Sequence, residues 1–296
     1  MMKPGARVSL KSALAAEHPL VTPLAHDALS VRLIERAGFR AFTIGGSAML
    51  AARYGLPDIG LAALGEMADG IRDIAAATSL PFFADGDDGY GDVKSVARTI
   101  EIYERLGVGG ILIEDQQRER KQQRADGAKG VVSEAEIATK LKAAMAARRN
   151  PETLIIGRTD AYAALGLDVA MKRAEAFLKL GVDGIFVAGL KTVADFERVG
   201  KAFRGEIMSA AIFEGVDTPW LAPKALGEMG FAQVSYPATL IFRAVAVMQQ
   251  TLTALRRHAD GVEPMTPATE SQGSRQILDD ALDLARWQKI ERDGGV

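Results

Sequence analysis

The chain has 296 residues, 48% of them hydrophobic, and sets 36 basic against 38 acidic side chains for a net charge of −2. That balance gives no electrostatic footprint for nucleic acid or an anionic membrane, and the apolar fraction is enough for a large core. The absence of cysteine excludes a disulfide, a thiolate nucleophile and Cys-ligated zinc.

The first segment, MMKPGARVSLKSALAAEHPL, carries basic residues but no sustained apolar run, and nothing later approaches membrane-spanning length. The expectation is a soluble, cytoplasmic protein. An apolar run, LVTPLAH, follows at 20–26. A phrase then recurs: ERAGFRAFTIGG (35–46), ERLGVGGILIED (104–115), LKLGVDGIFVAG (178–189) and GEMGFAQVSYP (227–237). Each reads as the end of an amphipathic helix, a glycine just past it, and a run rich in Val, Ile and Phe. Glycine suits a helix exit through the left-handed region, and unbroken apolar runs suit strands buried on both faces of a parallel sheet.

Between these lie further strand candidates at 80–87 (LPFFADGD), 153–161 (TLIIGRTDA) and 206–213 (EIMSAAIF). Helical patterns cover 93–106, 133–149, 168–180 and 222–229. Eight βα units predict a (β/α)₈ barrel over residues 1–261, and the same alternation permits an open doubly wound sheet. After the polar stretch HADGVEPMTPATESQG (258–273), the extension 262–296 resumes helical periodicity over 274–290. Ile277, Leu278, Leu282, Leu284 and Trp287 give it an apolar side, which packs on its own barrel or on a second subunit.

In a barrel the chemistry sits at the C-terminal ends of the strands. Those ends carry Gly45-Gly46-Ser47, then Asp85, Asp87 and Asp88, then Glu114-Asp115-Gln116, Arg158-Thr159-Asp160 and Glu214. Asp85, Asp87 and Glu114 offer only oxygen, which suits a hard cation such as Mg²⁺, with Mn²⁺ as a substitute. The competing role for the aspartates is capping of the next helix, and Asp92 is assigned to it. Arg158 ends a buried run, so its guanidinium needs an anion. A substrate carboxylate and an internal ion pair with Glu114 or Asp160 both fit. The GGS stretch reads as an oxyanion cradle or as an ordinary turn.

Six stretches together resemble the isocitrate lyase/phosphoenolpyruvate mutase superfamily: HDALSVRLIERAGF (26–39), GGSAMLAARYGLPDIG (45–60), ADGDDGYGD (84–92), ILIEDQ (111–116), IIGRTDA (155–161) and EGVDTPWL (214–221). The resemblance implies a modified (β/α)₈ barrel, often with a terminal helix swapped between subunits of a dimer or tetramer. It also implies Mg²⁺-dependent chemistry on small 2-oxo or 2-hydroxy acids through a pyruvate-type enolate. Carried over, Asp85 is the direct metal ligand, while Asp58, Asp87 and Glu114 hold metal-bound waters. Gly46 and Ser47 receive the substrate carboxylate and the oxygen that becomes the enolate, with Arg158 on the carboxylate. Lys121 and Arg124 belong to the family's gating loop, here 116–132.

The chain also departs from the family pattern. The loop RERKQQRADGAKG (118–130) lacks the Cys and His of the isocitrate- and methylisocitrate-cleaving members, and Ala188 and Ala211 replace their Glu and Asn. The Asn-bearing loop of phosphonate mutases is absent, and SYPAT (235–239) lacks the His of oxaloacetate decarboxylases. The expectation is a Mg²⁺-dependent lyase acting on a small diacid, with oxaloacetate-type decarboxylation leading. Phosphorus–carbon mutase or hydrolase chemistry and a non-catalytic metabolite-binding barrel are the alternatives.

Overall fold

The computed structural model describes residues 8–121, 130–215, 218–269 and 271–294. Its eight strands are β1 (Leu20–Pro23), β2 (Phe42–Ile44), β3 (Phe82–Asp85), β4 (Gly110–Glu114), β5 (Leu154–Thr159), β6 (Gly184–Val187), β7 (Ile207–Ala211) and β8 (Gln233–Tyr236). Each lies inside a run expected from the sequence. They form one parallel sheet in the order β1-β8-β7-β6-β5-β4-β3-β2. A single parallel bridge, Leu24 to Thr43, joins the two ends, reinforced by Ala25 N–H donating to Thr43 O at 3.0 Å. The sheet is therefore a nearly closed (β/α)₈ barrel rather than an open doubly wound sheet.

The recurring phrase has the conformation its glycine suggested. Gly38, Gly107, Gly181 and Gly230 all have positive φ, between 82° and 110°, where a side chain would be strained. Helices Val93–Arg105, Glu134–Ala147, Leu167–Lys179 and Pro223–Met229 fall within two residues of the expected bounds. Their apolar faces and the outward strand residues make the main core, including Ile100, Ile111, Ile137, Ile155 and Phe177. A second cluster fills the barrel interior. Leu10, on a helix Leu10–Ala16 that the sequence reading did not anticipate, packs there with Leu20, Phe83 and Leu154. Gly110 makes room for it: a Cβ there would stand 2.3 Å from Phe83 Cδ1 and 2.9 Å from Leu10 Cδ2.

The extension departs from the single helix expected over 274–290. It consists of helices Ser271–Ala281 and Leu284–Asp293, broken at Asp283, whose φ is 57°. Aspartate tolerates the left-handed region better than most side chains, so the break falls where the backbone can reverse cheaply. The first of the two touches its own barrel, where Arg32 Nη1 donates to Ala281 O at 2.9 Å and Arg36 pairs with Asp280 at 2.8 Å. Ile277, Leu278, Leu282, Leu284 and Trp287 stay between 40% and 51% exposed. Among the described residues no helix is long and apolar enough to cross a membrane.

Candidate active site

The register of the parallel ladder decides which side chains meet. β4 and β5 pair with Glu114 opposite Arg158, and β3 pairs with β4 so that Asp85 ends one strand beside the other. Beyond β3 the chain turns sharply. Asp85 Oδ1 accepts from Asp87 N–H at 3.0 Å, and Asp87 O accepts from Glu114 N–H at 2.8 Å. Asp87 and Tyr90 both carry positive φ, at 47° and 59°. Non-glycine residues held there are strained, and such strain clusters at functional sites. Asp92 leaves this turn to cap the following helix, accepting from Lys94 and Ser95 N–H at 3.0 and 3.2 Å.

Asp85, Asp87 and Glu114 bring one carboxylate oxygen each to within 4.8 Å of one another. These atoms could hold a hard divalent cation: the donors are all oxygen, with no His or Cys to favour a softer metal. Glu114 Oε2 is fully buried and, although 2.9 Å from Arg158 Nη1, accepts no hydrogen bond of ordinary geometry. Burial pushes Asp87 up to about 6, with Lys121 pulling it down and Asp85 and Asp58 adding to the rise. Burial raises Glu114 well above the usual carboxylate range, against the pull of Arg158. Crowded, desolvated carboxylates of this kind are relieved by a bound cation.

Both sequence-level readings of Arg158 concern the same side chain, and the ion pairs are the ones seen. Its Nε and Nη2 donate to the two oxygens of Asp160 at 2.9 and 3.0 Å, and Nη1 faces Glu114 and Asp85. Burial works against its charge, but Asp160, Glu114 and Asp85 outweigh it and hold the pKa well above the ordinary guanidinium value. Of its five N–H donors, Nε and one on Nη2 go to Asp160 and one on Nη1 to Asp85, which leaves one on Nη2 and one on Nη1 without a hydrogen bond among the described residues. The ring of Phe186 lies under the guanidinium, 5.4 Å from its carbon.

Gly45 caps the helix Gly46–Tyr54 without a side-chain hydrogen bond, so the first-turn amides of Gly46 and Ser47 stay open to an anion. Asp58 lies against this turn: a Cβ on Gly46 would stand 3.4 Å from Asp58 Oδ2. Ser47 is exposed at the same end. Glu214 lies elsewhere in its contacts, paired with Arg243 at 3.1 Å, and has no contact with the carboxylate cluster among the described residues.

The loop 116–132 differs in part from expectation. From the sequence, its stretch 118–130 offers no apolar residue except alanine as an anchor, which predicts a mobile loop. Its opening turn, Arg118–Arg120, is instead anchored by charge. Arg118 pairs with Asp88, donates to Ala62 O at 3.1 Å and stacks over Tyr90 at 5.0 Å. Lys121 hydrogen-bonds Asp87 and lies 3.0 Å from Asp58. The stems are tied by a Gln116–Val131 bridge and by Gln117 N–H donating to Gly130 O at 2.8 Å. Arg124 lies outside the described residues.

Sequence reasoning missed the supports behind the site. Lys140 is buried and donates to Asp88 O at 3.0 Å, fixing the turn that carries Asp87. Arg173 is buried against Asp115 at 2.9 Å, and Asp115 in turn accepts from Thr159 Oγ1 and Asp160 N–H at 2.7 and 2.8 Å. That chain sets Asp160, and through it Arg158. A signal was present: each cation interrupts a buried helical stripe, Lys140 among Ile137, Leu141 and Ala144, and Arg173 among Ala170, Ala174 and Phe177. Tyr103 adds a third support, donating to Asp85 O at 3.1 Å.

Comparison with known proteins bears on the family. Residues 10–256 match the family model for phosphoenolpyruvate phosphomutase. A probable 2-methylisocitrate lyase of Corynebacterium glutamicum is 38% identical, with 85% of this chain and 82% of that protein aligned. The 2,3-dimethylmalate lyase of Eubacterium barkeri is 34% identical over 83% and 85%, and an oxaloacetate decarboxylase of Rhodopseudomonas palustris is 40% identical over 60% and 61%. Among solved structures, oxaloacetate acetylhydrolase in complex with the product oxalate superposes with a TM-score of 0.84 at 28% identity, covering 97% of each chain. Phosphonopyruvate hydrolase in complex with oxalate and Mg²⁺ gives 0.79 at 25% identity, covering 96% of each. A (β/α)₈ barrel with carboxylates gathered at its strand ends, matched over nearly its whole length by these proteins, belongs to the isocitrate lyase/phosphoenolpyruvate mutase superfamily.

Proposed function

We propose that the protein is a Mg²⁺-dependent lyase that cleaves a C–C or C–carboxylate bond in a small 2-oxo or 2-hydroxy diacid, with oxaloacetate-type decarboxylation as its leading reaction. The observation that carries this reading is the convergence of Asp85, Asp87 and Glu114 beside the open amides of Gly46 and Ser47. Relatives named as lyases of methylisocitrate and dimethylmalate and as a decarboxylase of oxaloacetate support the substrate class. Two related structures hold oxalate, one of them with Mg²⁺. Oxalate has the O–C–C–O edge of a 2-oxo acid, so the same edge suits this site.

In this reading Asp85 would ligate the metal directly, and Asp58, Asp87 and Glu114 would hold the surrounding waters. Bound Mg²⁺ would supply electrophilic stabilisation of the negative charge that grows on the substrate oxygen. The chain's own groups do the rest. The Gly46 and Ser47 amides orient the carboxylate and the developing oxyanion, and a free Arg158 N–H meets the carboxylate edge. Gly45 lets the backbone approach closely: a Cβ there would stand 2.6 Å from Leu24 Cδ2. Decarboxylation needs no catalytic cysteine, because CO₂ departs unaided and the enolate takes a proton from solvent. Glu214, paired with Arg243, and the loop residues Lys121 and Arg124 would meet the outer part of the acid.

Phosphorus–carbon chemistry is the second reading, supported by the phosphonopyruvate hydrolase likeness. Incubating the protein and Mg²⁺ with a panel of oxaloacetate, substituted malates, methylisocitrate and phosphonopyruvate separates them. CO₂ with pyruvate marks the decarboxylase, succinate or a short acid the lyase, and phosphate the hydrolase. Absence of turnover on every acid would leave a metabolite-binding barrel. The same reading makes 1–261 the catalytic barrel and 262–296 an assembly element of a cytoplasmic homo-oligomer, a dimer or tetramer.

A further inference from the structure

Lys121 stands where a cation is wanted. Its ammonium hydrogen-bonds Asp87 Oδ1, lies 3.0 Å from Asp58 Oδ1 and 4.0 Å from Glu114 Oε1. Asp87 and Glu114 are two of the three carboxylates whose oxygens converge within 4.8 Å. Although Lys121 begins a polar loop, its side chain is only 9% exposed. A lysine on such a loop ordinarily leaves its strongly hydrated ammonium in water. The backbone aims it inward: Lys121 N–H donates to Arg118 O at 3.3 Å, and Arg118 is itself pinned to Asp88, Ala62 and Tyr90.

We infer that Lys121 is a tethered counter-ion of the metal-free site, and that a divalent cation held among Asp85, Asp87 and Glu114 displaces its ammonium. The inference rests on the metal reading given above. Two cations cannot share one small carboxylate cage without strong repulsion, so the ammonium and the metal exclude one another. The lysine keeps the carboxylates neutralised while no metal is bound. It also scales the apparent metal affinity down to the fraction of molecules in which it is unseated. Displacing it frees a cation at the root of the loop 116–132, so metal occupancy alters the charge presented there.

The test uses full-length, metal-free protein without substrate and reads Mn²⁺ binding by the loss of the free-ion electron paramagnetic resonance signal. Lys121→Met is expected to bind Mn²⁺ about tenfold or more tightly than the parent, while Lys121→Arg, which keeps the charge, stays within about threefold. A second readout follows acetylation of lysines by mass spectrometry, with Lys94, 86% exposed, as the internal reference. Labelling of Lys121 relative to Lys94 should rise severalfold when Mg²⁺ saturates the site, and Asp85→Ala should remove that rise. Equal or weaker Mn²⁺ binding by Lys121→Met, or Lys121 labelling indifferent to Mg²⁺ in a parent that binds it, overturns the inference while leaving the metal site standing. Parent and Asp85→Ala proteins that bind Mn²⁺ alike would instead overturn the metal reading, and the inference with it.

Discussion

Glu114 and Arg158 face each other across adjacent strands, and Arg158 Nη1 comes to 2.9 Å from Glu114 Oε2 because β4 and β5 pair in that register. The contact is a consequence of the ladder rather than of loop placement. A one-residue slip of either strand would turn its own side chain to the opposite face and break the contact. Arg158 also satisfies Asp160, so one cation neutralises carboxylates from two strand ends while leaving the third side of Glu114 open.

Arg158→Met should therefore destabilise the metal-free protein by about 3–5 kcal/mol, the usual cost of stranding buried partners of a broken ion pair. Urea unfolding measures it. Saturating Mg²⁺ should recover part of the loss, since a divalent ion replaces the missing positive charge. Stability equal to the parent in the absence of metal would show that Asp160 and Glu114 are satisfied by other groups.

Asp85→Ala should lower kcat/KM by about 10³-fold, because several kcal/mol of electrophilic stabilisation depend on the ligand it supplies. The fold should survive. Asp85 lies at a strand end, and its backbone carbonyl still receives Tyr103. Circular dichroism alongside the activity panel separates the two effects, and near-parental turnover by a folded variant would remove Asp85 from the site.

Metal binding should weaken in acid. Asp87, raised by burial to about 6, takes up a proton as pH falls through that value, and a protonated carboxyl no longer helps to hold a hydrated cation. The apparent Mn²⁺ affinity should fall with pH, and the raised Glu114 adds a second proton to the competition. Below about pH 6 the affinity should drop by about tenfold or more per unit as the Asp87 proton competes with the metal. Asp87→Asn should flatten that slope. A titration that stays level down to pH 5 would show that Asp87 is already ionised there.

The barrel was legible because its signal is repeated. Four phrases with a glycine at the helix exit, and apolar runs without alternation, leave few architectures other than parallel βα units. The strand-end carboxylates were legible for a related reason, since polar residues closing buried strands have nowhere to go but the mouth of the barrel. Lys140 and Arg173 were not, because a lone cation in a helix reads as surface until the stripe it interrupts is known to be buried. The anchoring of Arg118 was hidden too: it depends on Asp88, Ala62 and Tyr90, which come from two separate turns. Nor does periodicity reveal the break at Asp283, because the hydrophobic pattern runs on through it.

Lys140→Met should test the first of those supports. Its Nζ holds the Asp88 carbonyl, and no other side chain among the described residues donates to that oxygen. Losing it leaves a buried carbonyl unpaired, at about 1–3 kcal/mol, and loosens the turn that presents Asp87. Mn²⁺ affinity should then fall several-fold with little change in far-ultraviolet dichroism. An unaltered Mn²⁺ isotherm would place Lys140 in the fold alone.

The last expectation concerns the apolar surface beyond β8. Helix Thr239–Ala259 has no buried residue along its 21 positions, and Phe242, Val245, Val247, Met248 and Leu252 are all more than half exposed. The extension adds Ile277, Leu278, Leu282, Leu284, Trp287 and Ile290, each at least 40% exposed. Exposed apolar surface of this extent is rare on a monomer and marks a protein interface. Among the described residues the extension meets its own barrel through Arg32 to Ala281 O and Arg36 to Asp280, with Ala281 buried beside them. Covering Trp287 and its neighbouring leucines with a second copy would stabilise the contact by several kcal/mol before ordering costs, on the order of 1.5–3 kcal/mol per large side chain. The full chain should therefore scatter light as a dimer or tetramer, and a chain ending at Gly261 should scatter as a smaller species. If the shortened chain keeps the parent's subunit count, the extension serves only its own barrel, and helix Thr239–Ala259 carries the assembly by itself.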